Sequence, residues 1–411
     1  MNPILLKCVN CGKEYNLGLY DYCTECNFPL EVIFDISKND QLYVDRLTRG
    51  IWRFQSCSSL VSSQYRVSLG EGSTPLVTAK KLANRYNISN IYVKNEGQNP
   101  TGSFKDRPTS VGISFAISKQ MDHVIISSTG NAGASLSAYA ARAGVKAIVL
   151  IPKGVPQEKL TQISIHGADI IQVSGSVSDS LQLAREASKR YGWLNLTSTF
   201  LSPYSIIGNR TIAYEIYDEL GMIPDWIIVP VGVGPLLVGI YKGFQELLLR
   251  GITSKMPRMV AAQAQRCSPI YRAYKNDLQE VKTWEFPFET IASGIGDPLS
   301  GYENDGTYTL RIVKQSKGMV TSSLENEILD STELLAKSEG IFCEPSSAVA
   351  ISALRYLIDN PSYDPSQSVV LILTGHGLKQ QAVFQKKIEL RESIAPDISY
   401  LEELLNKIEK F

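Results

Sequence analysis

The chain has 411 residues, of which 44% are hydrophobic and 20% are charged, and its 41 Lys and Arg residues balance 41 Asp and Glu residues. At about 150 residues per domain this length predicts two or three domains, and the composition excludes disorder as the main state. The zero net charge excludes a basic protein that coats nucleic acid, because no surplus of positive charge is available to neutralise phosphates.

The sequence also lacks the usual signs of a membrane or secreted protein. No segment reaches the roughly 18 consecutive apolar residues of a membrane helix. Residues 1–7, which precede the first cysteine, do not have the form of a signal peptide. We therefore expect a cytosolic protein that has no membrane partner.

Four of the seven cysteines form two C-x-x-C pairs near the N-terminus: Cys8, Cys11, Cys23 and Cys26. Two such pairs can place four thiolates around one tetrahedral Zn²⁺, and a cytosolic location disfavours disulfides. A site closed by four thiolates leaves no position for chemistry, so the sequence predicts a structural zinc ribbon over residues 1–34. The few basic residues of this segment argue against a nucleic-acid partner.

The region after the ribbon predicts alternating strands and helices. The Ser-rich run 56–63 has the composition of a connector. Apolar runs then predict parallel strands that are buried on both faces, at 91–93, 123–127, 147–151, 169–173, 226–231 and 369–373. Helical patterns cover 134–143, 177–191 and 211–220, and a stripe at Leu401, Leu404, Leu405 and Ile408 follows a capping box at 399–402. This alternation predicts a doubly wound α/β fold.

One lysine lies at the start of a predicted helix. In Asn99–Arg107, Pro100 and Gly102 form a turn and a helix begins near Ser103, which places Lys105 in its first turn. A lysine near the positive end of a helix has its ammonium form disfavoured, which is one route to an amine nucleophile. The residue pattern alone still favours a solvated surface lysine.

Three glycine-containing loops follow predicted strands, at 127–135, 230–239 and 373–379, and the first of them is polar. Ligands bind at the carboxyl ends of strands in open sheets, so these loops are candidates for holding a carboxylate or a phosphate. A simple helix cap by Ser128 or Thr129 remains the alternative for the first loop. The second loop lacks the last glycine of the dinucleotide fingerprint, because Leu237 occupies its position, which argues against a nicotinamide cofactor.

The order of these motifs resembles that of threonine synthases. Ser-Phe-Lys-Asp-Arg, Ser-Thr-Gly-Asn, a glycine loop and Thr-Gly-His-Gly follow one another between about Gly70 and Lys379. The resemblance implies a pyridoxal-phosphate (PLP) enzyme of fold type II, related to tryptophan synthase β, that acts on an amino acid. It implies two α/β domains beside the ribbon, a large one over 35–110 and 206–411 and a small one over 111–205, and a homodimer.

The same resemblance implies a role for each site residue. Lys105 would carry PLP as a Schiff base, which makes the cofactor an electron sink. The implied cofactor ligands are Phe104 beside the lysine, Asn131 at the 3′-oxygen, Thr374 at the pyridine nitrogen, and Gly232, Val233, Gly234 and Leu236 at the phosphate. The implied ligands of the substrate carboxylate are Ser128, Thr129 and Ala132. Glu344 resembles a family motif near the cofactor, and its role stays open.

Two departures from the family pattern bear on function. Pro235 removes one N–H donor from the expected phosphate loop. Ser205 occupies the position where the family has an arginine for the phosphate of O-phosphohomoserine, and a hydroxyl cannot replace a bidentate guanidinium.

These departures leave three functions open. The first is threonine synthesis from O-phosphohomoserine. The second is β-elimination or β-replacement on O-phosphoserine or another amino acid, as in cysteate synthase. The third, from a different class, is a non-catalytic binding protein that uses the ribbon for its partners.

Overall fold

The computed structural model describes residues 4–34, 36, 45, 47–155, 157–385, 388, 390–391 and 393–408. Its strands are β1 Leu5–Cys8, β2 Glu14–Tyr15, β3 Leu30–Ile33, β4 Leu76–Thr78, β5 Asn90–Asn95, β6 His123–Ser127, β7 Lys146–Pro152, β8 Asp169–Val173, β9 Leu194–Asn195, β10 Trp226–Pro230, β11 Arg258–Ala264, β12 Met319–Ser323 and β13 Ser368–Leu373. Its helices are α1 Gln55–Leu60, α2 Lys80–Tyr86, α3 Asp106–Ser118, α4 Asn131–Ala143, α5 Gln157–Ser164, α6 Val177–Tyr191, α7 Pro203–Leu220, α8 Pro235–Leu249, α9 Pro269–Lys275, α10 Glu303–Gln315, α11 Glu325–Glu339, α12 Pro345–Ile358 and α13 Ile398–Ile408.

Two parallel sheets form the α/β body. The larger has the strand order β12-β11-β10-β13-β5-β4, in which only β4 is antiparallel to its neighbour. The smaller has the order β8-β7-β6-β9 and is parallel throughout. Helices cover the larger sheet on both faces, so every residue of β10 and β13 is buried. This arrangement brings the carboxyl ends of the parallel strands in each sheet to one edge.

A third, antiparallel sheet belongs to the N-terminal segment. Its order is β2-β1-β3; Cys8 is the last residue of β1, and Cys11, Cys23 and Cys26 lie in the loops around the sheet. We call residues 4–34 the cysteine module. Leu6 and Val32 of this module are almost fully buried in the hydrophobic core of the body. The module therefore packs against the α/β body.

Most sequence-predicted elements are confirmed, and some details are wrong. All six predicted strands are present, and α6 has the predicted bounds. The stretch 56–63 is not a plain connector, because α1 and a 3₁₀ turn at Ser63–Tyr65 occupy it. Helix α7 begins at Pro203, eight positions before the predicted start, because proline is well suited to a first helical turn. Helix α3 begins at Asp106, after Lys105.

Residues 380–411 form a separate compact unit that contains α13. Within this unit the cap differs from the predicted one, since the carboxylate of Asp397 accepts hydrogen bonds from the backbone N–H and the hydroxyl of Ser399. Among the described residues, no helix combines the length and the apolar character needed to cross a bilayer.

A buried ion-pair network ties the central elements of the body together. The guanidinium of Arg107 donates to both carboxylate oxygens of Glu96 (2.6 and 2.8 Å) and to both of Glu215 (2.7 Å each). The ammonium of Lys94 lies 2.9 Å from Glu215. Burial alone would raise the pKa of Glu215, but Arg107 and Lys94 together hold it well below its usual range. The network joins β5, α3 and α7 through charges that are paired away from water.

Replacing Arg107 by Met is expected to destabilise the protein by about 3–5 kcal/mol, because two buried carboxylates lose their partner. The loss would appear as a lower thermal midpoint by circular dichroism. A matched control is Lys337→Ala, which removes an exposed pair with Glu333 on α11 and should change the free energy of unfolding by about 0.5 kcal/mol or less. An equal shift in the two variants would contradict a stabilising role for the network.

Candidate active site

Polar loops from both sheets converge where the strands end. The loop after β5 leads to Lys105, and the loop after β13 carries Thr374. The backbone N–H of Phe104 donates to the carbonyl of Thr374 (2.9 Å), which holds these two loops side by side. The loops after β6 and β9 come from the smaller sheet. The site therefore lies between the two sheets, as the topology of open α/β sheets favours.

Lys105 immediately precedes α3 and lies within this site. Its ammonium nitrogen donates to the hydroxyl of Ser198, which follows β9, and lies 4.5 Å from the centre of the Phe104 ring. Burial lowers the pKa of Lys105 to about 8, although the nearby carboxylates of Glu344 and Asp297 act in the opposite direction. Lys105 thus has an amine that loses its proton far more readily than an exposed lysine does.

Glu344 lies at the N-terminus of α12 and joins two of the predicted cofactor ligands. Its carboxylate accepts from the Asn131 amide nitrogen (2.9 and 3.1 Å) and from the Thr374 hydroxyl (3.3 Å). Burial raises the pKa of Glu344. A side chain at Gly375 would begin 2.6 Å from the Glu344 carboxylate, so glycine is required there. Glu344 orients both polar ligands from one side.

The glycine loop after β10 leads into the first turn of α8. Gly234 has a φ of +127°, and a Cβ atom there would lie 2.0 Å from the Thr309 hydroxyl, so only glycine fits. Val233 accepts a hydrogen bond from the same hydroxyl (2.8 Å), which braces the loop. Leu236 lies in the first turn of α8 behind Pro235 and is buried. The loop and the helix N-terminus form an arrangement that suits a phosphate group.

In the loop after β6, Ser128 makes hydrogen bonds through both its hydroxyl and its backbone N–H. The Ser128 hydroxyl accepts from the N–H groups of Gly130 (3.3 Å) and Gly133 (3.1 Å), so it performs the capping that was the alternative interpretation. The Ser128 N–H donates to the carbonyl of Leu150 (3.2 Å) and is engaged within the sheet edge. Thr129 is half-buried, and Ala132 is buried in the first turn of α4.

Ser205 lies in the first turn of α7, and its contacts are with the scaffold. Its hydroxyl lies 2.8 Å from that of Ser202, and a Cβ atom at Gly112 of α3 would come within 2.9 Å of it. The residue of this region that contacts Lys105 is Ser198, which the sequence reasoning missed. The run of three hydroxyl residues at 197–199, directly after a strand, was the available signal.

Asp297 is a second site residue that the sequence reasoning missed. It lies beside the glycine loop, since a Cβ atom at Gly232 would be 3.4 Å from its own Cβ. Burial raises the pKa of Asp297, and bonds from the Tyr302 hydroxyl (2.7 Å) and the Leu299 N–H (2.9 Å) act against that rise. It adds a half-buried acidic group near the lysine, and no sequence motif indicated it.

The four cysteines of the cysteine module come together as a candidate metal site. Their sulfur atoms all lie within 4.8 Å of one another, with Cys8 and Cys26 at 3.4 Å and Cys11 and Cys23 at 3.5 Å. The N–H groups of Asn10 and Cys11 donate to the Cys8 sulfur (3.4 Å each), and these bonds act against the rise in the pKa of the Cys8 thiol that burial causes. The donor set and the spacing fit a tetrahedral ion with sulfur ligands.

A family model and two curated relatives all match this chain over most of its length. Residues 67–375 match the family model described as pyridoxal-phosphate dependent enzyme. The threonine synthase of Methanocaldococcus jannaschii is 37% identical over 98% of this chain and 100% of its own length. That of Methanosarcina acetivorans is 38% identical over 91% of this chain and 92% of its own length.

Solved structures resemble the fold at lower identity. Maize serine racemase superposes with a TM-score of 0.68 at 21% identity, covering 82% of this chain and 97% of its own. The processed form of threonine deaminase isoform 2 from Solanum lycopersicum superposes with a TM-score of 0.62 at 19% identity, covering 84% of this chain and 90% of its own. These likenesses support the fold of the body and leave the substrate open.

The amine of Lys105 is expected to become reactive as the pH rises through about 8, because the free amine replaces the ammonium over that range. The test treats apo-protein with a small aldehyde across a pH series, reduces the adduct with borohydride and quantifies the Lys105 peptide by mass spectrometry. Lys105→Ala should lose that adduct while other lysines retain theirs. A midpoint near the ordinary lysine value of 10.5 would contradict the effect of burial.

Proposed function

The chain belongs to the threonine synthase family of pyridoxal-phosphate-dependent enzymes, and we propose that it converts O-phosphohomoserine and water into threonine and phosphate. It is an enzyme of the elimination and replacement class, so the hypothesis of a non-catalytic binding protein is set aside. The observation that carries the specific reaction is the likeness to threonine synthases over almost the whole chain, cysteine module included.

The residues of the site fit the cofactor. Lys105 offers a half-buried amine of lowered pKa for the covalent link, and Phe104 packs beside it. The Asn131 amide nitrogen carries two hydrogens and could serve the 3′-oxygen as well as Glu344. The Thr374 hydroxyl would meet the pyridine nitrogen, and the backbone of the predicted loop residues would hold the phosphate: Gly232, Val233, Gly234 and Leu236. When bound, the cofactor supplies an electron sink for charge that develops at the substrate Cα.

The protein groups would then handle the protons. An amine with a pKa of about 8 is close to the working pH, so Lys105 can both accept and return a proton at the substrate carbon atoms. Ser198 donates or accepts a hydrogen bond at that amine and would keep it aimed into the site. We assign the substrate carboxylate to the first turn of α4, at Thr129 and Ala132 with Ser128 as the cap of that turn.

A second candidate reaction rests on Ser205. A hydroxyl there, bonded to Ser202 and packed against α3, supplies no positive charge for a distal substrate phosphate. β-Elimination or β-replacement on O-phosphoserine or another amino acid would place the leaving group closer to Cα. This observation favours a changed leaving group or a shorter substrate chain, while the overall likeness favours threonine synthesis.

The same proposal includes the domain boundaries, a structural zinc ion, a homodimer and a cytosolic location. The two sheets would form the cores of a large domain over 35–110 and 206–411 and a small domain over 111–205, with the cofactor between them. The cysteine module over 1–34 would hold a structural zinc ion. The homodimer and the cytosolic location stay predictions.

A substrate panel tests the reaction. With O-phosphohomoserine the purified enzyme is expected to release phosphate and form threonine, and O-phosphoserine, serine and threonine are tested for phosphate or ammonia release. Lys105→Ala should lower turnover by about 10²–10⁴-fold and abolish the visible absorbance of the bound cofactor, since it removes both the covalent link and the proton carrier. Turnover of O-phosphoserine with none of O-phosphohomoserine would support the second reaction and overturn the first.

Metal analysis tests the zinc proposal. The purified protein is expected to contain about one zinc ion per chain, because four thiolates form a closed structural site. Cys23→Ser should lose that ion and lower the thermal midpoint, and part of the PLP should remain bound. Cys267→Ser, at a buried cysteine outside the cluster, serves as the control and should keep its zinc. A zinc-free wild-type protein with four titratable thiols in the module would contradict the assignment.

A further inference from the structure

The cysteine module is connected to the segment beside Lys105 through the buried carboxyl group of Asp305. The Tyr22 hydroxyl, next to the metal-ligand candidate Cys23, donates to Oδ2 of Asp305 on α10 (3.2 Å). The same oxygen accepts the backbone N–H of Phe200 (3.1 Å). All of these groups are buried, so water does not compete for the bonds. One carboxyl oxygen thus links the module, the larger sheet's helix layer and the segment after β9.

Phe200 is two positions from Ser198, the residue that contacts the Lys105 amine. The other side of Ser198 is also held, because the Thr197 hydroxyl accepts the N–H of Ser127 (3.0 Å) at the end of β6. Thr197 is itself held by bonds to the Asn195 amide oxygen (2.7 and 2.9 Å). Ser198 is therefore positioned between two anchors, and the Phe200 anchor depends on Asp305.

The module makes a second bond to the same segment farther along. The Tyr204 hydroxyl donates to the carbonyl of Gly18 (2.6 Å) and accepts from its N–H (2.8 Å). The Tyr204 ring stacks on Phe115 of α3 with 3.6 Å between ring centres. The stretch between Phe200 and Tyr204 is thus linked to the module at both ends, through Asp305 at Phe200 and directly through Gly18 at Tyr204.

We propose that Asp305 is a positioning residue for the reaction: it couples Tyr22 of the cysteine module to Phe200 and so holds Ser198 against the Lys105 amine. The module is then a working part of the active site rather than a separate partner-binding domain. The inference rests on the cofactor role of Lys105 and is independent of which amino acid is the substrate.

The environment of Asp305 shows which property of the side chain matters. Burial raises the pKa of Asp305 to about 8, against the effect of the bonds from Phe200 and Tyr22. Burial therefore favours the uncharged acid, and its Oδ1 atom has no hydrogen-bond partner within the described residues. An uncharged acceptor oxygen is all that the two bonds require. Asparagine supplies such an oxygen with nearly the same shape, whereas leucine does not.

The experiment compares holoenzyme variants by two measurements that need no substrate. Hydrogen exchange of the peptide that contains residues 197–201 measures how firmly the bond from the Phe200 N–H to Asp305 holds this segment. A pH titration of the visible absorbance of the lysine-bound cofactor measures changes in the surroundings of Lys105. Asp305→Leu and Tyr22→Phe are expected to speed exchange about tenfold, as for loss of a buried hydrogen bond, and to shift the titration midpoint. Asp305→Asn should stay within about twofold of wild type.

Arg311→Ala is the matched control. It removes another bond from α10 to the module, in which Arg311 donates to the Asn10 side chain (2.8 Å), without touching Asp305. It should leave both measurements unchanged. The proposal is overturned if Asp305→Leu and Tyr22→Phe match wild type, if Asp305→Asn behaves like Asp305→Leu, or if Arg311→Ala produces the same changes. If Asp305→Leu does not fold, Tyr22→Phe and Asp305→Asn still decide the question.

Discussion

The position of Lys105 depends on the buried guanidinium of Arg107, two residues after it. Arg107 satisfies two carboxylates at once, Glu96 at the end of β5 and Glu215 in α7. A charge that is fully paired inside a protein tolerates little displacement, because each lost bond leaves an ion without water or partner. The loop that carries Lys105 is therefore fixed between the larger sheet and α7. The remaining site groups are arranged around an amine whose place is set by this network.

Burial is also what gives the site its chemical character. It lowers the pKa of Lys105 to about 8 and raises the pKa of Glu344 and Asp297, so burial favours the uncharged form of each of these groups. Groups that can hold or release a proton at working pH are what elimination and replacement reactions require. The protein obtains them by enclosing the lysine between two sheets, and Tyr22 of the cysteine module lies in the same hydrophobic core as Phe104.

The sequence predicted some parts of this arrangement well and others poorly, for identifiable reasons. Strands such as β10 and β13 are continuous apolar runs, and such runs are hard to mistake. Strand β12 was missed, because its residues Met319–Ser323 include a threonine and two serines that weaken the apolar signal. The helix α1 was missed because its serine-rich sequence has low helix propensity, and packing of Cys57 in the core overrides that preference.

The sequence by itself predicted the family and the role of Lys105 from the order of several short motifs, and it predicted the cysteine cluster from the spacing of two C-x-x-C pairs. Neighbouring residues in a motif are held together by the chain itself, so their order is sufficient evidence. Only the tertiary structure decided that Ser198 meets Lys105, that Ser205 packs against the scaffold, and that Asp305 joins Tyr22 to Phe200. These contacts span about a hundred positions or more, apart from that of Ser205 with Ser202. They arise from how sheets and helices pack, which no local pattern encodes.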